Sequence, residues 1–207
     1  MHIAIAGNIG AGKTTFTQLL AAHYRWTPHF EKVDANPYLD DFYADMQRWA
    51  FNLQIYFLNS RFERVKKIRE RCENVIQDRT IYEDASIFAS NLHAMGLLSE
   101  RDFNNYQSLF QLMERFVAPP DLLIYLRASV PTLVDQIQKR GRAYENGISI
   151  EYLSRLNERY EAWISGYEKG KLLVIEVDQL DILEPEDLGA VVSRIDAEIN
   201  GLFQGSF

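Results

Sequence analysis

The sequence predicts an α/β fold: a parallel five-stranded sheet flanked by helices, with a basic lid. Three observations predict it. Short apolar runs alternate with long helical patterns. The first run empties into Gly7-Asn8-Ile9-Gly10-Ala11-Gly12-Lys13-Thr14. A basic cluster, Lys139-Arg140-Gly141-Arg142, lies late in the chain between two helical patterns. Alternation of this kind lays strands side by side in a parallel sheet with helices on both faces.

The elements follow in order. Ile3 to Ala6 is a short apolar run suited to a buried strand, and Thr14 to His23 carries Phe16, Leu19 and Leu20 at helical spacing. The glycines therefore lie in a strand-to-helix turn, and their spacing is that of the P-loop, G-x-x-x-x-G-K-T. Such a turn converges backbone N–H groups on phosphate oxygens at a helix N-terminus. Lys13 is placed to reach the outer phosphates and Thr14 to offer a hydroxyl to Mg²⁺. Further strands are expected at His29–Val33, Asn74–Gln77, Leu122–Leu126 and Leu172–Val177. Asp40 to Arg71 reads as a short helix and then a long one, and Ala118-Pro119-Pro120-Asp121 as a loop. Gly141 to Gly147 breaks helical periodicity and is the expected lid. Tyr106, Phe110, Met113 and Phe116 form a stripe at roughly helical spacing, which fits packing or a contact between subunits.

Composition bounds the rest. At 207 residues, 47% apolar and 25% charged, the chain suits one domain with a large core. A formal net charge of −7 argues against a broad nucleic-acid-binding face. Cys72 is the only cysteine, so there is no intrachain disulfide framework, and it reads as a structural thiol. No apolar stretch reaches the roughly 18 residues that a membrane span needs, and the first strand runs straight into the P-loop with no signal peptide. No membrane partner and a cytoplasmic location are expected.

A P-loop alone fits motors, GTPases, transporters and kinases. The guanine-reading Asn-Lys-x-Asp motif is missing, as is Leu-Ser-Gly-Gly-Gln, and a basic lid points to small-molecule kinases, which close over substrate to exclude water. Beyond that the chain resembles a family. Gly-Asn-Ile-Gly-Ala-Gly-Lys-Thr followed by Phe30-Glu31 in the second strand is similar to the deoxyribonucleoside kinases. Asn36-Pro37-Tyr38-Leu39-Asp40-Asp41-Phe42-Tyr43 resembles their bacterial deoxyadenosine/deoxyguanosine kinase branch. Gln77-Asp78-Arg79-Thr80-Ile81-Tyr82-Glu83-Asp84, Ile87-Phe88-Ala89 and Arg140-Gly141-Arg142 with Glu145 and Gly147 continue the match, in order, to about residue 183.

The resemblance implies a P-loop kinase fold over residues 1–207, with the lid at about 140–147. It also implies phosphorylation of a deoxynucleoside 5′-hydroxyl by ATP and Mg²⁺, in deoxynucleotide salvage. Gly7 through Thr15 (Gly7, Asn8, Ile9, Gly10, Ala11, Gly12, Lys13, Thr14, Thr15) would hold ATP, with Arg140 and Arg142 on its phosphates and Asp178 in the loop lining the donor base. Glu31 would be the general base on the 5′-hydroxyl, Lys13 and Arg79 its catalytic companions, and Asp78 a holder, with Thr14, of the metal and its waters. Gln54 would read the base edge, Arg61 would pair with Asp84 beside the base, Phe88 would stack on it, and Tyr43 with Glu145 would hold the sugar 3′-hydroxyl. Taken alone, Phe88 reads as core, Glu31 as a solvated strand end, Asp78-Arg79 as a surface ion pair, and Gln54 and Arg61 as a solvated helix face. Two departures stand out. Thr80 replaces the family serine and keeps the hydroxyl. Gln136 stands where many relatives carry an arginine stacked on adenine.

The Arg61–Asp84 combination marks, by resemblance, members that accept purines and cytosine. A deoxypurine is expected first, deoxycytidine next and thymidine last. The resemblance also implies a homodimer. A nucleoside monophosphate kinase and a non-catalytic nucleotide-binding regulator are the rival readings. The first needs basic groups for an acceptor phosphate. The second sits poorly with Glu31, Lys13, Thr14 and Arg79 occurring together.

Overall fold

The structure is a computed structural model and describes residues 1–31, 36–71 and 73–200. Its centre is one five-stranded parallel sheet, β1 (His2–Gly7), β2 (Thr27–His29), β3 (Val75–Asp78), β4 (Leu122–Arg127) and β5 (Lys171–Glu176), in the order β2-β3-β1-β4-β5. Four strands lie within a residue or two of the runs read from the sequence.

The second strand does not. It covers Thr27–His29, not His29–Val33, and Glu31 stands two residues past its carboxyl end. The partner explains this. Thr27 to His29 align with Val75 to Gln77 of a four-residue strand, which ends as Arg79 turns into left-handed backbone, φ 67°. A strand cannot extend beyond its partner without leaving its amides unpaired. Val33 and Cys72 lie outside the described residues.

The strand side chains alternate between two cores, as the period of two requires. Ile3, Ile5, Ile124 and Leu173 face α1 (Lys13–Tyr24) and α9 (Pro185–Asn200). Ala4 and Ala6 point the other way, into a second core shared with α3 (Met46–Arg71) and α8 (Ile150–Ser165). A short helix, α2 (Leu39–Ala44), precedes α3. After β3 come α4 (Ile81–Glu83), a π-helical stretch Asp84–Ala89 and α5 (Ser90–Ala94) in unbroken succession. Wide turns of this kind recur at functional sites, where they re-aim side chains. Here the stretch carries Asp84 and Phe88. α6 (Glu100–Glu114) buries Tyr106 and Phe110, whereas Leu112 and Phe116 are exposed, so the aromatic stripe is part core and part surface. α7 (Val130–Arg140) leads through Gly141 (φ 66°) into a 3₁₀ turn, Ala143–Gly147, and then α8. No helix among the described residues is long and apolar enough to cross a membrane.

Candidate active site

The carboxyl ends of β1, β2 and β3 open into a cavity of about 300 Å³, at the point where strand order reverses and open α/β sheets bind ligands. Ile9, Gly10, Lys13 and Thr14 line one side. Glu31, Tyr43, Gln54, Arg61, Asp78, Arg79, Asp84 and Phe88 line the other, and Arg140, Arg142 and Glu145 close it. Gly7, Asn8, Ala11, Gly12 and Thr15 build the turn behind this lining.

The P-loop turn follows from its glycines. Gly10 (φ 88°) could take no side chain, since a Cβ would stand 2.7 Å from the Leu133 carbonyl of α7; Gly12 (φ 83°) caps α1 in left-handed backbone. Asn8 fixes the loop's second residue. Its Oδ1 accepts the Ile9 amide at 2.8 Å, and its Nδ2 donates to Asn157 Oδ1 at 2.8 Å and to the Leu153 carbonyl at 3.1 Å, both on α8. Lys13 is buried and donates to the Asn8 carbonyl at 2.8 Å; burial, then the charge of Arg79, push its ammonium down to about 7. Asp178 lies outside the cavity. Its carboxylate accepts the Ser129 amide at 2.8 Å at the start of α7, and that bond holds it below the usual carboxylate range.

Thr14 Oγ1 donates to Asp78 Oδ2 at 2.7 Å, while Asp78 Oδ1 is buried without a partner. Two oxygen donors at a phosphate turn, one of them an unspent carboxylate oxygen, suit a hard divalent cation such as Mg²⁺. That ion keeps most of its shell as water and phosphate oxygen and takes few protein ligands. No cluster of three or more His, Cys, Asp or Glu suited to a metal occurs among the described residues.

The opposite side is a network of buried charge. Arg61, 3% exposed, bonds Asp84 through Nε and Glu31 Oε1 through Nη2 at 2.5 Å, with its guanidinium 5.2 Å from the Phe57 ring centre. Arg79 Nε stands 3.4 Å from Glu31 Oε2, and its guanidinium lies 4.7 Å from the Phe88 ring centre. Burial would raise the Glu31 carboxyl, but Arg61, Arg79 and Lys13 together outweigh it and hold the group at about 2. Gln54 is 2% exposed and its Oε1 has no partner. Tyr43 stacks on Tyr144 (5.9 Å, 14°); Glu145 takes Arg140 in two bonds, 2.5 and 3.1 Å, with Arg142 at 3.8 Å. Burial first, and then neighbours that include Glu145, push the Tyr43 hydroxyl well up.

Among the residues that the sequence does not mark as site residues are three polar ones behind the lining, Glu83, Asn157 and Tyr160. Glu83 is announced only by a capping box, Thr80-x-x-Glu83, directly after a strand. Asn157 and Tyr160 are polar groups on the apolar face of α8, a signal that periodicity alone does not interpret.

A phosphate-cradling turn, a carboxylate across from it and arginines between them define a P-loop kinase site. Known proteins place it further. The deoxynucleoside kinase family model matches residues 3–200. Deoxyadenosine/deoxycytidine kinase of Bacillus subtilis is 41% identical over 89% of this chain and 86% of that one, and a Lactobacillus acidophilus deoxyguanosine kinase is 37% identical over 89% and 84%. The structure of deoxyadenosine kinase from M. mycoides with bound dATP superimposes with a TM-score of 0.85, at 30% identity, over 95% of this chain and all of that one. The chain belongs to the deoxynucleoside kinase family, phosphotransferases that use ATP.

Proposed function

We propose that the enzyme transfers the γ-phosphoryl group of ATP to the 5′-hydroxyl of a deoxypurine nucleoside, with deoxycytidine a lesser substrate and thymidine the poorest. The observation that carries this is the buried Arg61–Asp84 pair beside the unpartnered Gln54 amide oxygen in the cavity wall. A purine presents N7 and a six-position group to such an edge, whereas thymine presents a methyl. Asp84 favours an amino donor and Arg61 a carbonyl acceptor, so adenine and guanine both suit. Phe88 would stack on the base, and Tyr43 with Glu145 would hold the sugar.

The 5′-oxygen attacks the γ-phosphorus as the bond to the β–γ bridging oxygen breaks, and ADP leaves. Glu31 orients the hydroxyl and takes its proton. A carboxylate held near 2 is a weak base. It accepts the proton late, once the forming P–O bond has made the hydroxyl acidic, which suits a loose phosphoryl transfer. Lys13 and Arg79 offset charge on the transferring oxygens. Thr14 and Asp78 would hold Mg²⁺, which supplies further charge at the phosphates when bound.

A monophosphate acceptor would need spare cations on the acceptor side. Arg61 and Arg79 are already committed there to Glu31, Asp84 and a tyrosine hydroxyl. A coupled assay over the four deoxynucleosides and their monophosphates tests the reading. Higher kcat/KM for a deoxypurine nucleoside is expected; a clear preference for thymidine, or for any monophosphate, would overturn it.

Residues 140–147 act as the lid of a single catalytic domain. Arg140 and Arg142 exchange Glu145 for ATP phosphates as it closes. Amide exchange over 140–147 should slow when ATP analogue and nucleoside are both bound, and unchanged exchange under proven saturation counts against closure. The enzyme works in the cytoplasm as a homodimer, to which the exposed Leu112 and Phe116 could contribute.

A further inference from the structure

Arg79 is held by more than its charges. Its backbone sits in the left-handed region (φ 67°), kept there by its amide donating to the Ile5 carbonyl (2.9 Å) and its carbonyl accepting from Gln77 Nε2 (2.8 Å). Its side chain stands 3.4 Å from Glu31 and 3.5 Å from Glu83, long ion pairs that leave the direction of the guanidinium loosely set. Among the described residues, the one close hydrogen bond its guanidinium makes is Nη1 donating to the Tyr160 hydroxyl at 2.8 Å.

Tyr160 is fully buried on α8, outside the cavity lining, stacked on Tyr125 at 5.8 Å. Its own proton goes to Glu83 Oε1 at 2.8 Å. A guanidinium only donates and a carboxylate only accepts, so the hydroxyl between them has one possible orientation. Glu83 is itself fixed. It is fully buried, with Oε2 accepting from the Thr80 amide (2.7 Å) and hydroxyl (3.1 Å), and Oε1 from the Gly7 amide (3.3 Å). The chain of contacts therefore runs from the P-loop strand end, through a buried carboxylate and a tyrosine, to Arg79.

We propose that Tyr160 is a positioning residue for phosphoryl transfer: its hydroxyl, oriented by Glu83, aims the Arg79 guanidinium at the reacting oxygens. The inference rests on the reading above that Arg79 acts in transfer. Arginine carries a large rotamer entropy, and small errors in the placement of a charged group cost rate far more than binding. α8 supplies the aim because it is indexed to the donor site as well. Asn157, one turn before Tyr160, accepts from Asn8 in the P-loop and donates to the Ala128 carbonyl (2.8 Å).

Tyr160→Phe removes one oxygen and leaves the stack. Its single-turnover rate and kcat should fall at least about tenfold, with KM for ATP and nucleoside within about twofold, the pattern of an interaction realised in the transition state. Tyr125→Phe, whose hydroxyl bonds Glu161, should stay within about twofold on both. In an Arg79→Lys background, Tyr160→Phe should add less than about twofold, because it acts through a guanidinium no longer there. If Arg79→Lys keeps full turnover, the Arg79 assignment fails and Tyr160 loses its role with it. If Arg79→Lys is impaired while Tyr160→Phe is silent, raises KM instead, or costs the same in both backgrounds, the Tyr160 proposal alone fails. Should Tyr160→Phe not fold, Glu83→Gln is read the same way: lost kcat at constant KM supports the proposal, and unchanged kcat overturns it.

Discussion

The two sides of the cavity are built from different materials. The donor side is one contiguous turn, residues 7–14, that offers backbone N–H groups held open by glycines, with a single cation, Lys13, among them. The acceptor side is assembled from side chains of separate segments. Glu31 comes after β2, Gln54 and Arg61 from α3, Arg79 from the turn after β3, and Asp84 and Phe88 from the π-helical stretch. A backbone cradle needs no partner to exist before its ligand arrives. Buried side-chain charges do need partners, and on this side they use one another: Arg61 joins Glu31 to Asp84, and Arg79 joins Glu31 to Glu83. In the function proposed above, the acceptor side carries the proton acceptor and the selectivity, and damage to it should be specific.

The strongest test of that difference is Glu31→Gln. It should lower kcat about a hundredfold or more, the upper part of the range for a lost proton acceptor, while ATP affinity stays near normal. Isothermal titration with a non-hydrolysable ATP analogue, beside steady-state kinetics, checks both halves. Near-normal turnover with the preferred nucleoside would remove Glu31 from catalysis and with it the division of labour between the two sides.

The same contrast explains what the sequence discloses. Gly7 to Thr14 can be read directly, because its chemistry is local: spacing alone puts amides, lysine and hydroxyl in one turn. Arg61 and Asp84 are 23 residues apart and meet only because α3 and the π-helical stretch cross beside the sheet. Spacing carries no trace of that, and the pair was legible only through resemblance. The sequence places Glu31 within a strand, whereas the structure places it after one, because β2 has an irregular apolar pattern and takes its length from β3, a tertiary constraint. Tyr160 and Glu83 stayed hidden for a related reason. A buried tyrosine on an amphipathic helix and a capping glutamate each have a sufficient local explanation, and only their 2.8 Å contact suggests another.

Selectivity offers the next test. Replacing Arg61 by Met and Asp84 by Ala together removes the buried pair without orphaning either charge, a change that buried ion pairs often tolerate. Glu31 also loses a partner, so turnover should fall on every nucleoside. The informative quantity is therefore the ratio of kcat/KM for thymidine to that for deoxyadenosine, which should rise by about ten- to a hundredfold. An unchanged ratio in a folded variant would mean that the pair does not face the base. Asp84→Ala alone should be the less stable variant, since it leaves Arg61 buried with half its partners.

The smallest expected effect lies on the donor side and is read in protons. Lys13 is buried with its ammonium on the Asn8 carbonyl, and burial and then Arg79 bring it from 10.5 down to about 7. Near neutral pH the group is then close to half protonated in the free enzyme. Triphosphate oxygens beside it favour the charged form. Binding should therefore draw in about half a proton per site at pH 7, by the linkage between pKa and proton count. The sign fixes the pH dependence. Well below 7 the lysine already holds its proton and uptake should vanish; as pH rises to 8 and beyond, uptake should climb toward one proton and affinity should fall with it, until uptake disappears again above the pKa of the bound state. Titrating a magnesium-saturated, non-hydrolysable triphosphate into the enzyme, in buffers of different ionisation enthalpy, measures this from the slope of the observed heat. No uptake at pH 8 would mean that Lys13 keeps its charge in the free enzyme. The donor side would then balance its cation before the ligand arrives, as the acceptor side does.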